Sequence, residues 1–389
     1  MTARPRLPAA LGKLGQTLSE TFGALTRIGR DIPEVDSFAV LAFSPVPLLL
    51  LGAFFGGVFA WGALIWIALG IFLLDRAVAR PAPDAPEGSE FPAADGLSVA
   101  LAGAHFALLF LIVAALSGVT GLGWGARLAL LLATGLFFGQ VSNANAHELI
   151  HRDDKRLFLL GKWVYISLLY GHHTSAHRLV HHHFVATPDD PSTAVLGESY
   201  FAFAPRAWVG AFRAGWQREE ERRTARQDNA APPQGLKGRL ARLNPYVSYV
   251  LGGVWFVLLM ALLFGPAGVL AYLLLCLYAQ MQLLLSDYVQ HYGLARRQVA
   301  PGRYEPVTEA HSWDAPDPVS SLFMLNAPRH SDHHAHPARP YPALRLGDTA
   351  TPGRPMLPRS LPAMAALALF PPFWHRVMDH RVLALRKQG

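Results

Sequence analysis

The sequence predicts an all-α integral membrane protein with six transmembrane helices and a cytoplasmic, histidine-rich cap. Hydrophobic residues make up 52% of the chain and charged residues only 16%, and the mean hydropathy is +0.24. The apolar residues form runs of about 20 or more, the length of a helical bilayer crossing. Thirteen of the 17 histidines lie in the polar stretches beside these runs. This composition excludes an ordinary soluble domain.

The basic balance of the chain indicates contact with a membrane rather than with nucleic acid. The formal charge is +7, but the basic residues are spread over loops beside apolar runs, where they suit anionic lipid head groups. Residues 1–37 are polar and basic and have no apolar signal-peptide core, so we expect a cytoplasmic or interfacial segment. The single cysteine, Cys276, excludes an internal disulfide and a Cys₄ iron or zinc centre.

The first apolar run, residues 38–74, is too long for one crossing and predicts a helical hairpin with spans at about 38–54 and 57–75. Gly56 and Gly57 mark the expected turn. A Pro-rich loop follows, and further apolar runs separated by Gly-rich turns predict four more spans at about 97–119, 126–146, 246–264 and 268–285. We expect a catalytic domain over 38–345 and a cytoplasmic C-terminal tail over 346–389.

The loop charges predict the orientation. The connections 119–125 and 264–268 contain no Lys or Arg, whereas the long polar insertion 147–245 and both terminal segments contain nearly all of them. Because basic loops stay in the cytoplasm, both termini and the histidine-rich segments are expected on the cytoplasmic side.

The spacing of the histidines is typical of metal sites carried by helices. His147 and His151 are four residues apart, and His177 and His181 repeat this spacing beside His182. His330, His333 and His334 form a third cluster, and His291 follows the last span. On a helix, each cluster can direct two or three imidazoles to a common point. Nine imidazoles exceed the needs of one tetrahedral zinc and predict a dimetal centre, while ligand type leaves iron, copper and zinc open.

Other polar residues near the clusters have two interpretations. Acidic residues could orient the imidazoles or could be solvated loop acids: Glu148, Asp189, Asp190, Asp287 and Asp332. Asn143 and Asn145 could bond ligands or pack helices. His172 and His173 could be ligands, but their spacing from His177 suits a neighbouring helical face less well, and His183 should point away. His311 and His336 are expected beside the ligands or at the surface. We expect His105, His375 and His380 to be structural or exposed to solvent.

Two alternatives belong to other protein classes. HELIH at 147–151 matches HExxH, in which two histidines bind zinc and Glu148 would be the base of a peptidase. That site needs only one further ligand and leaves two histidine clusters unused. A metal transporter or sensor would need histidines or acids within the spans, whereas here they gather at one edge.

Several motifs resemble those of the membrane alkane hydroxylases, the alkane 1-monooxygenase family within the integral-membrane fatty acid desaturase/hydroxylase group. These motifs are HELIHR, HHHFVATPDDPS, QHYGL, HSW and RHSDHHAHPARPY, and the resemblance covers most of 38–345. It implies that the family's metal ligands are His147, His151, His177, His181, His182, His291, His330, His333 and His334.

The resemblance further implies a non-haem di-iron centre of two Fe ions that uses O₂ to hydroxylate a terminal C–H bond, giving a primary alcohol. Substrate would come from the bilayer of a bacterial inner membrane. Electrons would come from a rubredoxin or ferredoxin-type donor with an NAD(P)H reductase. Because one cysteine cannot build a rubredoxin centre, this donor would be a separate protein.

The chain departs from the family pattern beside the ligands. Ala176 and Val180 replace the usual Glu and Gly, His183 replaces Arg, and Ala327 with Pro328 replaces Leu-Gln. These changes concern the substrate more than the reaction type. A desaturase, or a hydroxylase of an alkylbenzene or a fatty acyl chain, would use the same metal chemistry.

Overall fold

The computed structural model describes residues 34–78, 80–228, 242–349 and 353–387, with single positions at 235, 238 and 351. Within these residues the regular secondary structure is helical, apart from one two-stranded hairpin. The expected N-terminal segment 1–37 lies almost entirely outside the described residues.

The first two apolar stretches form a pair of broken helices. Their segments are α1 (Val35–Phe43), α2 (Val46–Phe55), α3 (Gly57–Ile65) and, after a π-helical turn at Trp66–Gly70, α4 (Ile71–Val78). The chain reverses between α2 and α3, where Gly56 and Gly57 have φ of 57° and 50°. These positive values favour glycine, which has no Cβ to clash with the backbone. The reversal lies where the sequence predicts the turn.

The next helices carry the chain from the apolar body to the histidine-rich region. They are α5 (Ala94–Ser117), α6 (Trp124–Phe137), α7 (Asn143–Ile150) and α8 (Lys155–Ser167). A π-helical turn at Phe138–Ser142 joins α6 to α7, so the helix continues past the expected end of the span at 146 and carries His147. The Asp154 side chain caps α8 by accepting from Arg156 N and Leu157 N.

The polar insertion holds short helices and one long one. They are α9 (His173–Ala176), a π-helical turn at His177–His181, α10 (His182–Phe184) and α11 (Tyr200–Asp228). The last apolar stretch is α12 (Pro245–His291). The C-terminal part contains β1 (Gln298–Ala300), β2 (Arg303–Tyr304), α13 (Pro318–Phe323), α14 (His330–Ala335), α15 (Leu361–Ala368) and α16 (Pro371–Arg386).

Among the described residues, five helical stretches are long and apolar enough to cross a membrane. They are Val35–Phe55, Gly57–Val78, Ala94–Ser117, Trp124–Ile150 and Pro245–His291. The prediction of a helical protein with several membrane spans is therefore confirmed, although the number found is five rather than six. The difference lies in α12, which occupies the region of the last two predicted spans.

The 47 residues of α12 would extend about 70 Å as a straight helix, more than twice the apolar core of a bilayer. Gly265 interrupts the helix with φ 63° and ψ −163°. Gly252 before this break packs against Ile166, and Tyr272 after it donates to Ser167 O at 2.7 Å. Since residues on both sides of the break contact the same end of α8, the chain reverses at Gly265 and the two halves lie side by side.

The C-terminal helices pack on the body of the protein. Trp374, Met378 and Val382 are fully buried, and their spacing of four residues places them on one face of α16. The hydroxyl of Tyr292 donates to Asp379 Oδ1 at 2.6 Å. The region that the sequence predicts as a tail therefore covers the residues that directly follow His291.

A buried carboxylate joins the second apolar stretch to the polar region. Asp75 Oδ1, at the end of α4, accepts from the backbone N–H groups of Val319 and Ser320 at 2.8 and 3.0 Å. The N–H groups in the first turn of a helix have no acceptor within the helix itself, and a negative charge beside them is favourable. Asp75 thus fixes α13 against the end of the membrane span.

Close packing of the π-helical turn Phe138–Ser142 against α12 depends on the absence of a side chain at residue 139. A Cβ built on Gly139 would lie 2.2 Å from Gln282 Cβ. We therefore expect Gly139→Ala to destabilise the protein by about 1–3 kcal/mol, measured as a lower thermal unfolding midpoint in detergent. Gly103→Ala is the matched control, because a Cβ there meets nothing within 4 Å. An unchanged midpoint for Gly139→Ala would contradict this packing.

Candidate metal centre

Histidines from four separate segments meet where the apolar helices end. Helix α7 carries His147 near its end, and His151 is the residue directly after this helix. The turn after α9 and the start of α10 carry His177, His181 and His182, and the last residue of α12 is His291. Helix α14 contributes His330, His333 and His334. The structure brings all nine histidines of the predicted site together, in two groups.

The first group contains five histidines, His147, His151, His177, His182 and His333, whose ring nitrogens lie within 4.8 Å of one another. The Nε2 atom of His177 lies 2.7 Å from that of His147 and 2.9 Å from that of His182. The Nε2 atoms of His182 and His333 are 3.1 Å apart. These nitrogens converge on one point, as ligands of a single ion would.

The second group contains the four buried histidines His181, His291, His330 and His334, also within 4.8 Å of one another. The Nε2 atom of His330 lies 3.0 Å from that of His291 and 3.1 Å from that of His334. Because His182 and His334 have ring centroids only 4.6 Å apart, the two groups are direct neighbours.

Each sequence cluster directs two imidazoles to a common point, as expected, but the second and third clusters each give their remaining histidine to the other group. His177 and His182 belong to the first group while His181 belongs to the second. The wide π-helical turn at 177–181 brings residues five apart onto one side, which separates His181 from His177. In α14, His333 and the adjacent His334 point to different groups, because neighbouring helical residues project about 100° apart.

Burial keeps most of the imidazoles neutral. It lowers the pKa of His151, His177 and His333 well below the usual histidine value, because desolvation penalises the charged ring. Neutral imidazole is the form that binds metal ions. The electrostatics of the pocket therefore prepare these rings for ligation.

His181 differs from its neighbours because it has a carboxylate partner. Burial lowers its pKa, but the charge of Asp190, the hydrogen bond to Asp190 and the charge of Asp287 together outweigh burial and raise the pKa overall. His181 Nδ1 donates to Asp190 Oδ2 at 2.8 Å, and the carboxylate also accepts from Thr193 Oγ1 and Ser192 N. This arrangement fixes the tautomer, so Nε2 of His181 is the nitrogen free to bind a metal.

Unpaired buried nitrogens test whether the residues fit metal ions. The Nε2 atoms of His151 and His181 are buried and have no hydrogen-bond partner among the residues that the structure describes. A buried polar atom without a partner is unfavourable, and a metal ion bound by the surrounding nitrogens would remove that cost. The donor set therefore fits two metal ions, one in each group.

The other acidic candidates do not contact the histidines of the two groups in the described part of the chain. Glu148 Oε1 accepts from Arg152 and from Tyr341 N, Asp332 pairs with His336 and Arg339, and Asp189 is exposed. Asp287 bonds Ser192 beside Asp190. Asp190 is thus the one of the five whose carboxylate bonds a histidine of the groups.

The two asparagines serve helix packing. Asn143 Oδ1 accepts from Tyr165 OH at 3.0 Å, and Asn145 Nδ2 donates to Ser98 O at 2.9 Å. Both partners belong to neighbouring helices, so the helix-packing interpretation applies.

The remaining histidines lie outside both groups. The ring of His173 stacks beside that of His177 with centroids 4.9 Å apart, and His172 lies against Trp208 and Phe212. The others have separate partners or face solvent: His105 with Ser167, His311 with Glu305, His336 with Asp332, His375 with Tyr292, and the exposed His183 and His380.

Sequence reasoning missed one residue that holds a ligand helix. Asp314 Oδ1 accepts from Ser331 N at 2.8 Å, at the start of α14, and Arg354 pairs with the same carboxylate at 3.1 Å. The preceding residue, Trp313, donates its backbone N–H to Gln290 O beside His291. The HSW motif next to Asp314 was the available signal, because this segment joins the end of α12 to α14.

Apolar helices that end at two groups of buried imidazoles define a multi-pass membrane protein with a candidate dinuclear metal site. The family model described as fatty acid desaturase matches residues 122–367. The chain belongs to this family, and the resemblance inferred from the motifs is confirmed.

Named relatives agree with this placement. Alkane 1-monooxygenase 2 of Pseudomonas aeruginosa is 32% identical over 86% of this chain and 87% of its own length. Alkane 1-monooxygenase of Pseudomonas putida is 36% identical over 72% of this chain and 66% of its own. The xylene/toluene monooxygenase hydroxylase component of Pseudomonas putida is 28% identical over 59% of this chain and 57% of its own.

The contact between His181 and Asp190 predicts a selective loss of metal. Asp190→Asn removes the charge that fixes the His181 tautomer, so we expect metal affinity to fall about 10- to 100-fold. The measurement is metal content per chain by mass spectrometry after dialysis against graded chelator. Asp189→Asn is the matched control, because Asp189 is exposed and adjacent. Equal retention of metal by both variants would rule out this role of Asp190.

Proposed function

We propose that this chain is a non-haem di-iron monooxygenase that inserts one oxygen atom from O₂ into the terminal C–H bond of an alkane or alkyl chain, giving a primary alcohol. The observation that carries the proposal is the pair of histidine groups, five and four, at the ends of the apolar helices. The similarity of this chain to alkane 1-monooxygenases supports the reaction type and the substrate class.

The two histidine groups would each hold one ion. The first ion would have the ligands His147, His151, His177, His182 and His333, and the second would have His181, His291, His330 and His334. Iron is the metal that best fits both an imidazole ligand set and the redox chemistry of the family. When bound, the two irons supply the activation of O₂ that oxidation of an unactivated C–H bond requires.

The protein residues contribute position, protonation state and exclusion of water. Burial keeps most of the rings neutral, and Asp190 directs Nε2 of His181 toward the second ion. Asp314 holds the start of α14, which brings ligands to both ions. Because the histidines of the second group are buried, a strong oxidant formed there would be kept from solvent.

The peptidase alternative is disfavoured by the position of Glu148. In an HExxH peptidase this carboxylate activates a water molecule beside the metal. Here Glu148 pairs with Arg152 at 2.8 Å and accepts from Tyr341 N. An alkylbenzene is the alternative substrate, supported by the similarity to the xylene/toluene monooxygenase component.

The proposed topology has six crossings, with both termini and the metal centre on the cytoplasmic side of the bacterial inner membrane. Reversal at Gly265 would divide α12 into the fifth and sixth crossings. We propose that 38–345 form the catalytic domain and that 361–386 pack against it. Electrons would come from a separate rubredoxin or ferredoxin-type protein with an NAD(P)H reductase, since Cys276 alone cannot ligate a cluster.

The topology predicts opposite accessibility for two exposed positions. In a Cys276→Ser background, Val119→Cys should react with a membrane-impermeant maleimide in intact spheroplasts. Arg297→Cys should react only after the membrane is opened. Both native side chains are largely exposed, 69% for Val119 and 73% for Arg297, so access is set by the membrane. Labelling of Arg297→Cys in closed spheroplasts would contradict the proposed orientation.

The reaction is tested by product analysis. Membranes containing the chain are supplied with rubredoxin, its reductase, NADH and a mixture of octane, hexadecane and an alkylbenzene under ¹⁸O₂, and products are identified by gas chromatography–mass spectrometry. We expect a 1-alkanol carrying one ¹⁸O atom. His330→Ala should lose iron and product because it removes a ligand from the second group, whereas His183→Ala should retain both because His183 is exposed.

Each other outcome has a definite meaning. A labelled benzylic alcohol as main product would identify an alkylbenzene hydroxylase, and an alkene would identify a desaturase. Unchanged iron content and product in His330→Ala would contradict the di-iron centre. Product from Glu148→Gln but not from His330→Ala would further exclude the peptidase chemistry.

A further inference from the structure

A cleft of about 340 Å³ lies apart from the two histidine groups, between the start of α9, α11 and the first half of α12. On one side it is bounded by Val250, Val254 and Leu258, which are 50%, 49% and 62% exposed. These residues belong to a candidate membrane span, so their exposed surface faces lipid. The cleft therefore opens toward the bilayer.

The inner walls of the cleft combine aromatic rings with two glycines. Trp208, Phe212 and Tyr249 form the aromatic wall, next to Gly171 and Gly253. A Cβ built on Gly253 would approach only Leu169 Cδ2, at 3.1 Å. The space in front of Gly253 is thus part of the cleft, and a larger side chain there would fill it. Trp and Tyr are the residues typical of the membrane–water boundary.

One polar side chain in this apolar cleft has an unsatisfied nitrogen. Tyr249 OH is hydrogen-bonded to Ser175 Oγ at 2.8 Å, and Trp208 Nε1 donates to Gln280 Oε1 at 2.9 Å. His172 also lines the cleft and is 3% exposed, and its Nε2 is buried without a hydrogen-bond partner in the described part of the chain. A ligand in the cleft that carries a hydrogen-bonding group would satisfy this nitrogen.

The chemistry of His172 selects the class of ligand. Burial lowers its pKa to about 3, so the ring is neutral and its nitrogens can donate or accept one hydrogen bond each. A hydrocarbon would leave Nε2 unpaired. A carboxylate would be desolvated beside a neutral ring without a counter-charge, which is unfavourable. A hydroxyl group is neutral and complements either ring nitrogen.

We propose that this cleft binds a linear primary alcohol, with the hydroxyl on His172 and the alkyl chain along Val250, Val254 and Leu258 toward the bilayer. The choice of a primary alcohol rests on the proposed function, of which it is the product class. His172 O accepts from Ala176 N at 2.9 Å, in the short helix that leads to His177. The cleft is thus a product site next to the segment that carries metal ligands, and it is separate from them.

The site is tested by photolabelling of the full chain in lipid nanodiscs, without reductant so that no turnover occurs. The probe is a long-chain primary alcohol with a diazirine on its alkyl chain, and labelled peptides are identified by mass spectrometry. We expect saturable labelling of peptides covering 169–172 and 249–258. Unlabelled 1-dodecanol should compete, whereas dodecane and dodecanoate should not.

Two variants and a matched control assign the residues. His172→Phe keeps an aromatic ring but removes the hydrogen bond, so the 1-dodecanol concentration needed for half-competition should rise about tenfold, a difference of about 1.4 kcal/mol. Gly253→Leu fills the cleft and should abolish the saturable labelling. Gly103→Leu is the control, because its position is open and lies on another helix. Iron content and gel-filtration profile show whether each variant is folded.

The contrary results are equally clear. Equal competition by dodecane, or unchanged competition in a folded His172→Phe, would overturn the assignment of the hydroxyl to His172. Labelling that does not saturate and spreads over all lipid-facing helices would show contact with bulk lipid only. Because binding is measured without turnover, failure to form an alcohol from an alkane would contradict the proposed function without changing this result.

Discussion

The structure depends on bringing nine imidazoles out of water and into contact with one another. Each buried ring needs a partner for both nitrogens, and two of them, His151 and His181, have an Nε2 atom that nothing in the described chain satisfies. This is unfavourable for a protein of these residues alone, and two bound ions would make it favourable. The surrounding architecture is understandable as a means of holding the rings in place until metal binds.

Short helices carry most of these rings and need support from elsewhere. Helix α9 has four residues, α10 three and α14 six, too few for any of them to be stable alone. Buried acceptors fix this region: Asp190 at His181, Asp314 at the start of α14, and Asp75 at α13. Arg329, beside His330, bonds Asp84 and Leu344 O. The ligand region is thus anchored by charges that lie outside it.

Much of this could be predicted from the sequence because spacing and hydropathy report on local geometry. The reversal near Gly265 follows from a GPAG turn within an apolar run, and membership of all nine histidines in the site follows from their clusters. The division into groups could not be predicted, since it depends on a π-helical turn that separates His181 from His177. The role of Asp314 depends on a contact across 17 residues, and the packing of α16 on tertiary contacts of Trp374.

Helix α14 has a mechanical consequence. It gives His330 and His334 to the second histidine group and His333 to the first. One six-residue helix therefore belongs to both groups. Any rotation of α14 therefore moves imidazoles of both groups at once. Asp314 holds the first turn of this helix through its hydrogen bond with Ser331 N. The geometries of the two histidine groups are therefore coupled through the backbone of one short helix.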